Sequence, residues 1–345
     1  MIAALMLVSA TAAMAQEGET KLDKIEKTAE KEDGNYDPKP AIMEHIADSH
    51  EFDILEMVQI PLPCILYSSG SGVTAFLYGE GKEVNGYKCE EGKIVKQDGA
   101  FFLDMSITKN VFTMLLAAII LIVIFTSVAG AYKKNHGKAP KGLQSVIEPL
   151  FVFIRDDVAK PNIGPKYEAY LPYIMTIFFF ILVLNLLGLL PLFPGGANVT
   201  GNIAFTMVLA IVAFFAINIS GTKHYWGHIF WMPGVNVFMK IFLAIIEVIG
   251  LFTKPVALMV RLFANMTAGH IITLSLISLI FVFGQAGKSM IGSGVGAAIA
   301  VPFALFISTI EVLVAFIQAF IFAMLTATFI GLALEDHSEG HHTVD

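Results

Sequence analysis

Between Ala169 and Leu334 the only Lys, Arg, Asp or Glu residues are Lys223, Lys240, Glu247, Lys254, Arg261, Lys288 and Glu311. Lys223 and Lys288 fall between apolar runs. The other five lie within them, where a charge at mid-membrane depth is unfavourable by at least about 2.5–3.5 kcal/mol. A purely structural helix would not carry such groups, so they point to an ion pathway or a proton relay.

Their spacing is regular. Lys240, Glu247, Lys254 and Arg261 are seven residues apart, and a straight helix drifts only about 20° per seven residues, so they form one stripe. Asn265 extends it, four residues beyond Arg261. The bland alternative is a ladder of salt bridges, with Lys240 and Lys254 snorkelling to the interface. Arg261 resists that reading, because Val256–Val260 precede it and Leu262 and Phe263 follow. His270 stands nine residues on, about half a turn away at roughly 100° per residue, so it faces a different neighbour. On the last apolar run Glu311 and Gln318 share a face, again seven apart. A His in one apolar helix and a Glu in the next make a titratable patch suited to passing protons.

The elements that must position these groups are long. The expected fold class is an all-α polytopic membrane protein with a small β-rich head before it. Five spans are expected, at about Ile107–Tyr132, Tyr170–Leu190, Asn202–Ser220, Val235–Phe283 and Met290–Leu334. About 20 apolar residues suffice to cross a bilayer. The last two runs are twice that length, so they must tilt, bend (Pro255 and Pro302 being the obvious places) or fold back. Between the first two spans, Leu143, Val146, Ile147, Leu150, Phe151, Ile154 and Val158 fall on one helical face, as in a helix lying in the membrane interface or docking a partner.

Composition supports the same picture. The chain has 345 residues, 56% hydrophobic and 15% charged. Residues 16–106 hold 19 of its 29 acidic groups and 9 of its 22 basic ones. An acidic, water-soluble portion therefore precedes an apolar body, and no dense basic patch exists for nucleic acid. Residues 1–15 read as a signal peptide with Ala13-Met14-Ala15 before the cleavage point, the alternative being a short anchor. Residues 16–40 read as a charged linker, 41–105 as an exported head, 106–335 as the membrane domain and 336–345 as a cytoplasmic tail. The only cysteines, Cys64 and Cys89, are in the head, where an oxidising compartment would allow a disulfide and a reducing one two buried thiols. Lys133, Lys134, Lys138 and Lys141 crowd the exit of the first span and mark that side as cytoplasmic, which puts the amino terminus outside and the carboxy terminus inside.

Three segments carry a family resemblance. Lys254-Pro255-Val256-Ala257-Leu258-Met259-Val260-Arg261-Leu262-Phe263-Ala264-Asn265-Met266-Thr267-Ala268-Gly269-His270 is one. Glu311 with Ile317-Gln318-Ala319-Phe320-Ile321-Phe322 and Leu325-Thr326 is the second, and Asn185-Leu186-Leu187-Gly188-Leu189-Leu190-Pro191 the third. Together they resemble the a subunit of F-type ATP synthases over about residues 107–335, and the acidic head resembles the extension of Bacteroidetes-type versions. The resemblance implies a stationary subunit beside a rotating ring of c subunits, each with one mid-membrane carboxyl. Further partners would be the b subunits and the other subunits of the complex, with lipid around it and protons as the translocated species. It places the family's invariant arginine at Arg261 and its polar channel positions at Glu247, Asn265, His270, Glu311 and Gln318. Many bacterial members carry Glu where His270 stands and His where Glu311 stands; the exchanged pair here resembles the mitochondrial arrangement and implies one compensated unit.

No cofactor is expected, and there is no Gly-x-x-x-x-Gly-Lys-Ser/Thr loop for a nucleotide. Two other readings compete. A proton-coupled secondary transporter would need paired repeats, and none is found. A receptor with a sensing head would use His45, Asp48, His50 and Asp53 as metal ligands, a set of mixed donors with no firm spacing rule.

Overall fold

The computed structural model describes residues 38–334, apart from 55–57, 69–71, 80, 91–92, 97–100, 135–138, 191–195, 233–235 and 285–288. The signal peptide, most of the charged linker and the carboxy-terminal tail expected from sequence lie outside the described residues. The chain divides into two compact units. One takes residues up to 115 with 187–199 and 267–312, and the other takes 116–186, 200–266 and the chain from 313.

The first unit opens with helix α1 (Lys39–Ile46) and eight short strands. Strands β1 (Glu51–Ile54) and β2 (Val58–Pro61) form an antiparallel hairpin. Strands β3 (Pro63–Ser68), β4 (Gly72–Leu77) and β8 (Leu103–Asp104) form a second sheet in the order β4-β3-β8, with Cys64 opposite Phe76 and Leu66 opposite both Thr74 and Asp104. Strands β5 (Glu83–Val84), β6 (Tyr87–Glu90) and β7 (Lys93–Lys96) form a third. Asn85 takes φ 50° and Gly86 φ 80°, the left-handed pair that a tight two-residue hairpin between β5 and β6 requires. Cys64, Leu66, Tyr78, Tyr87, Cys89 and Ile94 form the small core of this region.

The remainder is helical. Helix α2 (Lys109–Lys134) is an apolar span closed by Lys133 and Lys134. Helix α3 (Leu143–Phe153) continues through a π turn (154–159), the short α4 (Lys160–Ile163) and a 3-10 turn (164–166) into α5 (Tyr167–Leu189). This corrects the expected separation of an amphipathic helix from the second span: the run is nearly continuous from Leu143. Pro161 and Pro165 sit at the first turns of short helical pieces, where a missing N–H goes unnoticed. Ile154 and Val158 are fully buried in the core of the second unit, so this end of the stretch is packed inside the protein.

Helix α6 (Ile203–Ile219) has 17 residues and is followed, after a bend of 104°, by α7 (Lys223–Phe230). Asn202 caps α6 by accepting from the Ala204 N–H, and Thr222 caps α7 by accepting from the Tyr225 N–H. Helices α8 (Val237–Phe283) and α9 (Met290–Leu334) run 47 and 45 residues without interruption. Pro255 and Pro302 lie inside them, so neither run folds back. Among the described residues four helical runs are thus long and apolar enough to cross a membrane, or five if the bent α6–α7 pair is one span.

The second unit is held by a small-residue seam. Ala315, Ala319, Ala323 and Ala327 recur every four residues on α9 and are all buried, so they share one face. Ala319, Ala323 and Ala327 share one core cluster with Ile174, Phe178 and Ile181 of α5. With no hydrophobic drive between helices in lipid, close backbone approach of this kind supplies the packing. At the end of the seam a Cβ on Gly331 would collide with the Asn162 carbonyl oxygen, and Thr328 Oγ1 donates to Asn162 Oδ1 at 2.9 Å.

Candidate functional site

The charged stripe on α8 is not a salt-bridge ladder. Neighbours seven residues apart are separated by about 10.5 Å of helix rise, too far to pair. The two lysines find aromatic rings instead: Lys240 Nζ lies 4.6 Å from the Trp231 ring centroid and Lys254 Nζ 4.9 Å from that of Phe329. Each cation is thereby satisfied locally by a ring face. Glu247 is half-buried and Arg261 is exposed; neither makes a hydrogen bond or ion pair among the described residues. Leu258 and Leu262, three residues before and one after Arg261, are buried at 2% and 0%, about 60° and 100° around the helix, so Arg261 stands at the exposed flank of the packed seam. Ala257 and Ala264, at i−4 and i+3, are the exposed small residues beside it. Arg261 therefore presents a permanent charge on a surface that another helix could approach closely.

One helical turn further, Asn265 Nδ2 donates to Gln318 Oε1 at 2.7 Å. Gln318 is only 3% exposed, so this bond satisfies a buried amide in an apolar environment. Asn185, from the third resemblance segment, is 1% exposed and donates through Nδ2 to the Ala315 carbonyl at 3.2 Å, joining α5 to α9.

In the first unit Glu311 approaches α8. Thr273 Oγ1 donates to Glu311 Oε1 at 3.0 Å. The carboxylate lies over Gly269: a Cβ there would come within 2.6 Å of Oε1 and 3.2 Å of Cδ. The glycine before His270 is thus the gap that admits the Glu311 head group. His270 is half-buried on the same helix. Sequence reasoning singled out neither Thr273 nor Gly269 as a site residue. The available signal was the four-residue spacing of Asn265, Gly269 and Thr273, which places all three on one helix face.

Two of the four head residues considered as metal ligands make other contacts. His50 Nε2 bonds Asp104 Oδ2 at 3.0 Å and its ring stacks on Tyr78. Asp48 Oδ1 accepts from the Asn110 N–H at the start of α2. The side chains of His45 and Asp53 lie outside the described residues. Burial by itself raises the Asp104 carboxyl, but hydrogen bonds from His50 and Ser106 outweigh it and hold the group at about 2. Cys64 and Cys89 are both fully buried in the head core as thiols. Burial, then the neighbouring Cys89, pushes the Cys64 thiol up to about 12.

Comparison with known proteins places this geometry in context. Residues 111–331 match the family described as ATP synthase A chain, and residues 41–111 match a domain of unknown function (DUF8433). "ATP synthase subunit a 2" of Chlorobium luteolum is 41% identical over 331 residues, covering 93% of this chain and 84% of that protein. "ATP synthase subunit a" of Chlorobium phaeobacteroides is 44% identical over 87% of this chain and 78% of its own. The protein of that name from Myxococcus xanthus is 40% identical over 70% of this chain and 77% of its own.

Proposed function

The chain belongs to the ATP synthase A chain family, and on that premise we propose that it is the stationary, proton-conducting subunit a of an F-type ATP synthase. It works beside a rotating ring of c subunits, with the b subunits and the rest of the complex as its other partners. The observation that carries this reading is the exposed Arg261, between Ala257 and Ala264 in the apolar stretch that follows Lys254, with no ion pair among the described residues. A guanidinium on an apolar surface needs an anion from outside the chain, and a mid-membrane carboxylate on a passing ring helix supplies one.

The mechanism follows from charge. Arg261 stays protonated at every relevant pH, so it cannot relay a proton. It attracts a ring carboxylate that has lost its proton and keeps the two aqueous half-channels electrically apart. Glu247, Asn265, His270, Glu311 and Gln318 line the proton path, with His270 and Glu311 acting as one unit. One charge crossing the membrane field is worth about 2.3 kcal/mol per 100 mV, and two offset half-channels turn that into rotation.

In this reading the chain crosses the bacterial inner membrane five times, with α6–α7 as one bent span. The head, residues 41–105, lies outside the cytoplasm and the carboxy terminus inside. A cysteine placed at Asn35 is then labelled by an impermeant maleimide on intact cells and one at Ser338 is not; equal labelling of both overturns this orientation. The central test is Arg261→Ala and Arg261→Lys in inverted vesicles with assembly checked by blotting. Both variants lose ATP-driven proton pumping, because a compact ammonium does not reproduce the fixed planar charge. Pumping at near wild-type rate in either sinks the assignment.

A further inference from the structure

The β4-β3-β8 sheet has an apolar face on both sides. Antiparallel sheets with one face on a core ordinarily turn polar side chains outward. Here the inward positions Cys64, Leu66, Ser68 and Thr74 are buried, and Phe102 packs edge-on against Tyr87. The alternate positions point outward, and they are Tyr67 (50% exposed), Val73 (69%), Leu77 (55%), Phe101 (87%), Leu103 (48%) and Met105 (61%). Strand register brings them together: Tyr67 stands opposite both Val73 and Leu103. The outward positions completing β3 and β4, namely Pro63, Ile65 and Ala75, carry no charge either. A contiguous apolar patch of this kind marks a protein or membrane contact.

The attachment of the sheet decides between the two. The Met105 N–H donates to the Ile65 carbonyl at 2.9 Å and the Ile107 N–H to the Pro63 carbonyl at 3.1 Å, so the chain leaving β8 is held against β3 until just before α2. The first turn of α2 is held in turn, with the Lys109 N–H on the Ser49 carbonyl at 2.9 Å and the Asn110 N–H on Asp48 Oδ1 at 3.2 Å. Only four residue steps separate Met105 from Lys109, at most about 14 Å of chain. The patch therefore sits at the mouth of an apolar span, within reach of the headgroup–acyl boundary in which apolar faces embed to about 5–10 Å. A tyrosine on the patch, Tyr67, and Lys82, whose Nζ reaches the Leu77 carbonyl at 3.4 Å on its rim, are the side chains that suit that boundary.

We propose that this outward sheet face is a membrane-docking surface, seated on the lipid of the leaflet from which α2 departs. The apolar surface of the span then continues onto the head, and the head is held flat on the bilayer instead of standing free in water.

Site-directed spin labelling of the purified full chain in phosphatidylcholine nanodiscs tests this. Nitroxides are placed through Val73→Cys and Leu77→Cys, with Glu83→Cys on the β5 strand as the water-facing reference; the signal from unsubstituted protein is the background, since Cys64 and Cys89 are buried. At Val73 and Leu77 relaxation by oxygen, which concentrates in lipid, exceeds relaxation by a water-soluble nickel chelate several-fold, and at Glu83 the order reverses. Nickel dominating at Val73 and Leu77 would mean the face is in water, and low accessibility to both reagents would mean another protein surface covers it. Either result overturns the proposal.

Discussion

Replacing Gly269 with alanine isolates the contribution of the Glu311 approach. The added Cβ would lie 2.6 Å from Oε1, where ordinary contact begins at 3.4 Å, so the carboxylate must retreat by about 0.8 Å. Its bond from Thr273, 3.0 Å long, stretches past hydrogen-bonding distance if the retreat is directed away from that hydroxyl. Such a bond contributes about 0.5–1.5 kcal/mol. At about 1.4 kcal/mol per decade of rate, proton pumping falls roughly two- to tenfold. Alanine meanwhile favours the helix over glycine by about 0.8–1.0 kcal/mol, which roughly offsets the lost bond, so thermal stability stays within about 1 kcal/mol of wild type. Activity and stability therefore move apart. The assay is ATP-driven fluorescence quenching in inverted vesicles, beside a thermal-shift measurement on the purified complex. Glu311→Asp, one methylene shorter, makes room for the methyl group, so the two defects in a Gly269→Ala/Glu311→Asp variant are less than additive. Wild-type pumping in Gly269→Ala would refute the argument, and so would strict additivity in the double variant.

Two further outcomes are expected. On the proposed pairing of His270 with Glu311, exchanging His270→Glu and Glu311→His together pumps better than either single change, because each single change would put two carboxylates or two imidazoles in one proton-handling unit; a double variant as poor as the worse single one shows that the residues act independently. In the head, the Asp104 carboxyl lies below its ordinary value, so its contribution is present above about pH 4 and is lost as pH falls through about 2. With about a third of that side chain in water, the contribution is on the order of 1 kcal/mol. Amide exchange in β3 and β8 accelerates over that interval in the wild type and not in Asp104→Asn; identical profiles refute it.

The helices were legible because apolar run length is a one-dimensional signal. The last run, expected at Met290–Leu334, has those bounds, and the run expected from Val235 begins at Val237. The α3–α5 run was read as two elements because only the 143–158 part shows a one-sided apolar face, yet the four prolines from residue 149 to 172 all sit in helical turns and the run carries on past it. Pro149 and Pro172 are helix-interior residues, tolerated because packing rather than propensity holds the run. The stripe from Lys240 to Arg261 could be read from spacing. The partners of each charge could not, because Trp231 and Phe329 come from different parts of the chain and only tertiary packing brings them to Lys240 and Lys254. Thr273 was missed for the same reason: a threonine in an apolar helix ordinarily bonds its own backbone, and its aim at Glu311 depends on the register between α8 and α9.

The length of α8 changes what a position along it means. Its 47 residues extend about 70 Å, and the hydrocarbon layer is about 30 Å thick. If the whole helix is held in that layer, each residue gains only about 0.6 Å of depth while moving about 1.4 Å sideways. Glu247 and Arg261, fourteen positions apart, would then differ by about 9 Å in depth and about 19 Å laterally. That depth spans about a third of the membrane potential, roughly 0.7 kcal/mol of the 2.3 kcal/mol that a full crossing carries at 100 mV. On the proposed assignment, substitutions stepped along this helix would map distance around the c-subunit ring more than distance through the bilayer. A voltage dependence that stays nearly flat from Glu247 to Arg261, while coupling to rotation changes sharply, is the signature such a helix would leave.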